Sequence, residues 1–176
     1  MINRVTIIGA GNLTSSLLTA IHRNRFSYKI DVIDTNKKKK FSLKKFNVNF
    51  FSSYTDVIAK SNLIILMVKP NNYIEVIKEI NPLLSEKMIL VSFMAGIRCA
   101  SIKNELSQDI PVVRCMTNIT ISDSEAHIFY HMKPFSKNIA GLINEFFNTF
   151  SKLKKCINEG DIDKITALYG SGPCLL

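Results

Sequence analysis

The sequence predicts an α/β fold, a doubly wound and mostly parallel sheet with helices on both faces. Three observations carry that expectation. Strand-like apolar runs alternate with helical patterns from end to end of the 176 residues, as they do when crossover helices link parallel strands. The run Asn62 to Val68 is nearly continuous in apolar residues, and Met88 to Phe93 repeats the pattern, which fits strands buried on both faces. Finally, Val5 to Ile8 stops at Gly9-Ala10-Gly11 and passes straight into a helical pattern. A strand ending on Gly-x-Gly can turn tightly, and a helix starting there offers unpaired N–H groups and a partial positive charge to a pyrophosphate.

Taken in order, the first helix presents Leu13, Leu17, Leu18 and Ile21 at helical spacing, one face for the sheet. Thr14 stands where the glycine motif would carry its third glycine, and a side chain there is expected to press on helix–strand packing. Tyr28 to Ile33 is the second strand and ends at Asp34, where such a unit meets an adenosine ribose. A carboxylate there accepts from a 2′-hydroxyl and repels a 2′-phosphate. Thr35, Asn36 and Lys37 to Lys39 point the other way, since they could donate to and neutralise a 2′-phosphate; a lysine loop that is merely solvated is the alternative. Val48 to Phe51 predicts a third strand and Tyr54 to Lys60 a short helix. The buried strand that follows is stopped by Lys69-Pro70, at the carboxyl edge where ligands of open sheets sit.

Tyr73, Val76, Ile77 and Ile80 mark the next helix, which ends near Pro82. After Met88 to Phe93 come Ala95 and Gly96, small enough for a flat ring to approach the backbone. A helix is expected over Ser101 to Leu106, a strand over Val112 to Met116, a polar loop over 117–125 and a strand over Ala126 to Met132. A strong helix then runs through Ile139, Leu142, Ile143, Phe146, Phe147 and Phe150, followed by a strand, Leu153 to Asn158, and a short helix, Asp161 to Leu168.

Composition narrows the function classes. Hydrophobic residues make up 47% and charged residues 21%, the balance of a soluble globular chain of one domain. No apolar run approaches the roughly 20 residues that span a bilayer, so a cytoplasmic protein without membrane contact is expected. Cys99, Cys115, Cys156 and Cys174 are scattered without metal-ligand spacing, which predicts free buried thiols and no metal. The net charge of +9 could serve an anionic partner, but the lysines lack interleaved aromatics for base stacking, so no nucleic acid is expected. His127 and His131 fall outside any zinc-binding arrangement and are read as surface or edge positions. Arg114, at a strand end, either binds a carboxylate or makes structural bonds to backbone carbonyls.

Several punctuated strand ends form one pattern. Ile8-Gly9-Ala10-Gly11-Asn12-Leu13, Val68-Lys69-Pro70, Ser92-Phe93-Met94-Ala95-Gly96-Ile97, Val113-Arg114-Cys115-Met116-Thr117-Asn118 and Thr166-Ala167-Leu168-Tyr169-Gly170-Ser171-Gly172-Pro173 occur in this order across almost the whole chain. Together they resemble the pyrroline-5-carboxylate reductases of proline biosynthesis. The resemblance implies a Rossmann-like domain over residues 1–160 holding NADPH, with NADH as the alternative, and reduction of the cyclic imine 1-pyrroline-5-carboxylate to L-proline. It implies that Ile8, Gly9, Ala10, Gly11, Asn12 and Leu13 hold the pyrophosphate, with Asp34, Asn36 and Lys37 on the adenosine side. Met67, Val68, Lys69 and Pro70 would then lie on the ribose and nicotinamide side, and Met94, Ala95 and Gly96 in the nicotinamide pocket. Glu159, Asn118, Gly170, Ser171 and Gly172 would be near the substrate, and no residue is nominated as a proton donor.

The chain departs from that family in ways that bear on activity. Thr117, Ile119 and Thr120 stand where the family has proline, threonine and proline; Ala126 replaces a glycine, and Tyr54 an asparagine expected near the adenosine. The family continues into a helical domain that forms its homo-oligomer, of which residues 161–176 would be a stub. Alternatives are therefore a non-catalytic nucleotide-binding remnant, or another NAD(P)-dependent oxidoreductase on the same fold.

Overall fold

The computed structural model describes residues 2–24, 28–54, 57–123, 127–133, 137–148, 151–155 and 158–167. Its strands are β1 (Arg4–Ile8), β2 (Lys29–Ile33), β3 (Asn49–Phe51), β4 (Leu63–Leu66), β5 (Ile89–Ser92), β6 (Val112–Met116), β7 (His127–Met132) and β8 (Lys152–Lys155). Its helices are α1 (Asn12–Arg23), α2 (Lys40–Leu43), α3 (Tyr73–Ile80), α4 (Cys99–Glu105), α5 (Lys137–Asn148) and α6 (Glu159–Ile165). The strands form one eight-stranded sheet in the order β3-β2-β1-β4-β5-β6-β7-β8. From β3 to β6 all pairings are parallel. The strand β7 runs antiparallel to β6 and parallel to β8. The mostly parallel, doubly wound sheet is as expected.

Side-chain alternation along each strand sorts the core into two layers. Val5, Ile7, Leu63 and Ile65 point to the layer shared with Leu17, Leu18 and Ile21 of α1 and with Ile143, Phe146 and Phe147 of α5. Ile8, Ile64 and Leu66 point to the other layer, where Val76, Ile77 and Ile80 of α3 and Ile102 of α4 cover them. Both faces of β4 are thus closed, which is why Leu63 to Leu66 can be apolar throughout. Aromatic residues seal the α5 side, with Phe146 and Phe147 at 5.5 Å and Tyr28 and Phe146 at 5.3 Å between ring centroids. On the face of α4, Ile162 of α6 is buried with Met116, and Phe129 and Ile165 pack around them.

Polar side chains fix the amino-terminal ends of the central strands. Asp31 of β2 is fully buried, bonded by Arg4 Nε at 2.6 Å and Asn49 Nδ2 at 2.8 Å, so it ties β1, β2 and β3 together. Asn62 accepts from the N–H groups of Asn3 and Arg4, each at 3.0 Å, and sets β4 against β1.

The structure differs from sequence expectation in several places. Lys37–Lys39 form a 3-10 turn leading into α2 instead of a loop, because Asn36 accepts from the Lys38 N–H and Leu43 is buried. An all-lysine segment has no apolar period to betray such a turn. Ile119–Asp123, within the expected polar loop, is also a 3-10 turn, held by fully buried Ile121. Within Tyr54 to Lys60, the described part contains only the 3-10 turn Ile58–Lys60. Of the surface or edge positions expected for His127 and His131, the edge is excluded, and both are half-buried. Strand β7 lies between β6 and β8, and the segment joining it to β6 is too short for a helical crossover, which permits the antiparallel direction.

Candidate functional site: a cleft at the carboxyl edge

Strand order reverses at β1, which has β2 on one side and β4 on the other. Open parallel sheets have a crevice at such a point, because successive connections leave to opposite faces. Here the crevice is a cleft of about 490 Å³ lined by the Ile8 to Gly11 turn, Ile33 to Asn36, Lys39, Tyr54, Met67 to Lys69 and one side of α3. A larger cavity of about 680 Å³, lined by Leu18, Tyr28 and Phe46 among others, lies near the start of β2, away from the carboxyl edge.

The turn is built by close backbone approach. Gly9 donates to the Ile33 carbonyl at 2.8 Å, and Met67 donates to Ile8 at 2.8 Å, so the strand ends on either side are pinned to it. Gly9 has φ of +106°, and a Cβ placed there would lie 2.5 Å from the Met67 carbonyl oxygen. Only glycine fits, for backbone angle and for space alike. Gly11, by contrast, has open space where a Cβ would go. Its carbonyl accepts from Ser15 N–H at 3.1 Å and opens α1. The first turn of α1 contains no acidic side chain, so its leading N–H groups, which have no intrahelical acceptor, face no internal anion from that turn.

Thr14 corrects the expectation of poor packing. It is fully buried, and its hydroxyl donates to the Gly9 carbonyl at 2.5 Å and approaches Met67 Sδ at 3.3 Å. The side chain that replaces the third glycine therefore braces the turn from within instead of prising helix from strand.

Asp34 closes the other wall. One carboxylate oxygen accepts from Ala10 N–H at 2.8 Å, and the other from Asn36 N–H at 2.8 Å. With both oxygens engaged by backbone donors, the carboxylate organises the turn and the start of the lysine segment as well as facing the cleft. Lys39 and Lys69 bring cationic groups to the lining, and Glu75 and Glu79 of α3 bring anionic ones. Tyr54 lies among them. Burial raises its phenol above the ordinary value, with Glu79, Asp34 and Glu75 adding to the effect.

Of the residues singled out in the sequence, the cleft gathers Ile8, Gly9, Ala10, Gly11, Asp34, Asn36, Met67, Val68 and Lys69. Asn12, Leu13, Lys37 and Pro70 adjoin that lining in sequence without belonging to it. Met94, Ala95 and Gly96 also lie outside it: Met94 is buried and donates to Ser92 Oγ at 3.3 Å, while Ala95 and Gly96 are exposed on a turn where Gly96 has φ of +74°. Asn118 accepts from the Thr120 N–H and hydroxyl, fixing the turn after β6. Thr117 donates to the His127 carbonyl at 3.1 Å, bridging to β7. Gly170, Ser171 and Gly172 fall outside the described residues. Glu75 and Glu79 went unnoticed in the sequence; their i, i+4 spacing puts both on one side of α3, the only signal available.

A second polar cluster sits on the α4 face beneath β6. Arg114 is fully buried, and its Nη2 meets Asp163 of α6 at 2.5 Å, with Nη1 3.8 Å from Glu159. Its Nε and Nη1 make no hydrogen bond. Arg98 stands 3.6 Å from Asp163, and Glu159 accepts from Cys99 N–H at 2.6 Å. The hydrogen bond from Arg114 holds the Asp163 carboxyl below its ordinary value. Burial, with Glu159 adding to it, pushes the Cys99 thiol up to about 12. Cys99 and Cys115 are buried and in no disulfide, while Cys156 and Cys174 lie outside the described residues. No cluster of metal-ligating side chains occurs among the described residues. Among them, too, no helix is long and apolar enough to cross a membrane.

Comparison with known proteins agrees with this geometry. The chain is 28% identical to the pyrroline-5-carboxylate reductase of Staphylococcus saprophyticus over 98% of its own length and 65% of that protein's. It is 28% identical to the enzyme of that name from Pseudomonas aeruginosa, over 97% of this chain and 63% of the other. The chain thus spans somewhat less than two thirds of these relatives. Among solved structures, a Plasmodium falciparum pyrroline carboxylate reductase with NADP bound superposes with a TM-score of 0.85 at 24% identity, covering 99% of this chain and 64% of the other. A pyrroline-5-carboxylate reductase from Coxiella burnetii gives 0.88 at 24% identity, over 99% and 66%. Residues 4–96, which contain the glycine turn, the cleft-lining strands and α3, match the model of one family, and by that match the chain belongs to the NADP oxidoreductases described as coenzyme F420-dependent.

Proposed function

We propose that this chain provides the dinucleotide-binding part of a pyrroline-5-carboxylate reductase, acting in the cytoplasm on 1-pyrroline-5-carboxylate with NADPH. The observation that carries the reading is the turn at the switch point, where Gly9 packs against the Met67 carbonyl with no room for a side chain. That approach leaves the start of α1 facing a cleft, with its first N–H groups free for a diphosphate. In this reading Gly9 to Leu13 hold the diphosphate, and Asn36, Lys37 and Lys39 face the adenosine 2′-phosphate. Met67 to Pro70 and Met94 to Gly96 flank the ribose and nicotinamide, with Asn118, Glu159 and Gly170 to Gly172 toward the substrate. Residues 1–160 form the nucleotide domain, and 161–176 belong with a helical substrate and oligomer region.

The 2′-phosphate is favoured over a free hydroxyl because Lys39 lines the cleft together with Thr35 and Asn36. When bound, NADPH supplies the hydride that reduces the imine carbon. The chain's own contribution is to bind the donor, orient it and exclude water, which is where most of the acceleration of such a transfer arises.

The test has two stages. Titration with NADPH and NADH, read by cofactor fluorescence, should show saturable binding with NADPH preferred, and binding of neither removes the cofactor reading. NADPH oxidation that depends on added pyrroline-5-carboxylate then tests the reaction. Cofactor binding without turnover at high protein concentration leaves a nucleotide-binding protein and removes the reductase.

A further inference from the structure

The helix α4 begins without a cap of its own. Arg98 occupies the N-cap position and makes no side-chain bond to the helix, where Ser, Thr, Asp or Asn would ordinarily accept one of the leading N–H groups. The acceptor comes instead from Glu159 on α6, sixty residues along, at 2.6 Å from Cys99 N. That carboxylate belongs to a network with three further charged side chains. Arg114, wholly buried, has Nη1 3.8 Å from Glu159 and bonds Asp163 one turn later on α6, and Arg98 faces the same Asp163 at 3.6 Å. Two cations and two carboxylates thereby join β6, the start of α4 and the first turn of α6. Directly before α4 lies the exposed turn Ala95–Gly96, whose left-handed Gly96 lets the chain pass from the end of β5 into the helix.

We propose that Glu159 is a positioning residue: by capping α4 from α6 it fixes the Ala95–Arg98 turn, so that docking of α6 and the shape of the nicotinamide end of the site are coupled. This rests on the cofactor reading above for its consequence, and on the Cys99 contact alone for its structure. The device has a physical rationale. A turn leading into an uncapped helix frays, because its first N–H groups exchange freely with water. A carboxylate from another element suppresses that fraying only while the element is docked. Arg114 makes the docking directional, since its guanidinium can bond Asp163 and face Glu159 at 3.8 Å only when that helix lies in one register.

Backbone amide exchange followed by NMR on the full chain tests the proposal, comparing wild type with Glu159→Ala and Glu159→Gln. The alanine variant should raise the exchange rate of the Cys99 amide tenfold or more and leave the amides of β1 and α1 unchanged. The glutamine variant keeps an acceptor oxygen and should restore most of the protection. NADPH affinity should follow the same order, about fivefold weaker in the alanine variant and close to wild type in the glutamine variant. Unchanged Cys99 exchange in Glu159→Ala, or no rescue by glutamine, overturns the cap. Faster exchange with unaltered NADPH affinity overturns the coupling. Failure of the wild-type chain to bind NADPH also overturns the coupling, and it is recognisable as a failure of the cofactor reading because the exchange pattern is then still intact.

Discussion

The carboxyl-edge cleft and the cluster under β6 solve the same problem, joining distant segments at one point, with opposite materials. The glycine turn of the cleft is chiefly a backbone construction, with Gly9 against the Met67 carbonyl and the Ile33 carbonyl accepting from Gly9 N–H. The cluster is a charge construction, with Arg114 reaching Asp163 and Glu159 across some fifty residues of sequence. Backbone contacts tolerate almost no added volume and ignore pH and salt. Charge contacts tolerate shape changes better but depend on every partner being present.

Gly9→Ala should do the most damage. It forces a side chain into a left-handed angle and against a carbonyl oxygen, and the two penalties together come to about 4 kcal/mol. Urea unfolding should show that loss, and any surviving folded protein should have lost NADPH. Arg114→Met comes next, at about 3 kcal/mol, the low end for removing one member of a buried ion pair, because Glu159 and Asp163 are partly exposed and regain water. Its signature should be regional, with α6 amides exchanging early and the β1 turn still protected. An equal loss of protection in both regions would erase the distinction between them.

Thr14→Val should cost about 1.5 kcal/mol, the penalty for leaving the Gly9 carbonyl without its donor while shape is kept. A neutral result would mean that the hydroxyl merely fills space. The smallest effect is that of pH on the cluster. The Asp163 carboxyl is held low by Arg114, so its contribution is present above the ordinary carboxylate range and is lost as pH falls through its lowered value. Amide exchange in α6 should therefore accelerate only below about pH 4. Asp163→Asn should abolish that dependence, and 0.5 M salt should blunt it, since the side chain is 39% exposed. The Gly9 turn should show no matching transition.

The same contrast explains what was legible in the sequence. Strands β1, β4, β5 and β6 and the glycine turn are written locally, in apolar runs and in residues whose backbone freedom has one use. At Thr14 the volume of the side chain predicts a clash, whereas its hydroxyl, bonded to the Gly9 carbonyl, decides the packing. The partners of Arg114 are invisible in the sequence: it is expected at a strand end but sits in the middle of β6, and nothing indicates that its carboxylates lie on a helix far along the chain. Glu75 and Glu79 lie opposite the apolar positions that mark α3 in the sequence, and nothing local tells that their side of the helix lines a cleft. Lys37–Lys39 read as loop because a turn held by Asn36 leaves no periodic trace.

The position of β1 in the sheet bears on the order of assembly on the ribosome. Its two neighbours, β2 and β4, follow it in sequence, and β4 ends at Leu66. Strand β1 thus stays without one hydrogen-bonding edge until the intervening residues up to Leu66 have been made, several seconds at ordinary elongation rates of roughly 5–20 residues per second. The ion pair of Arg4 with Asp31 of β2 can therefore select β1's register before Asn62 and β4 arrive to add their ties.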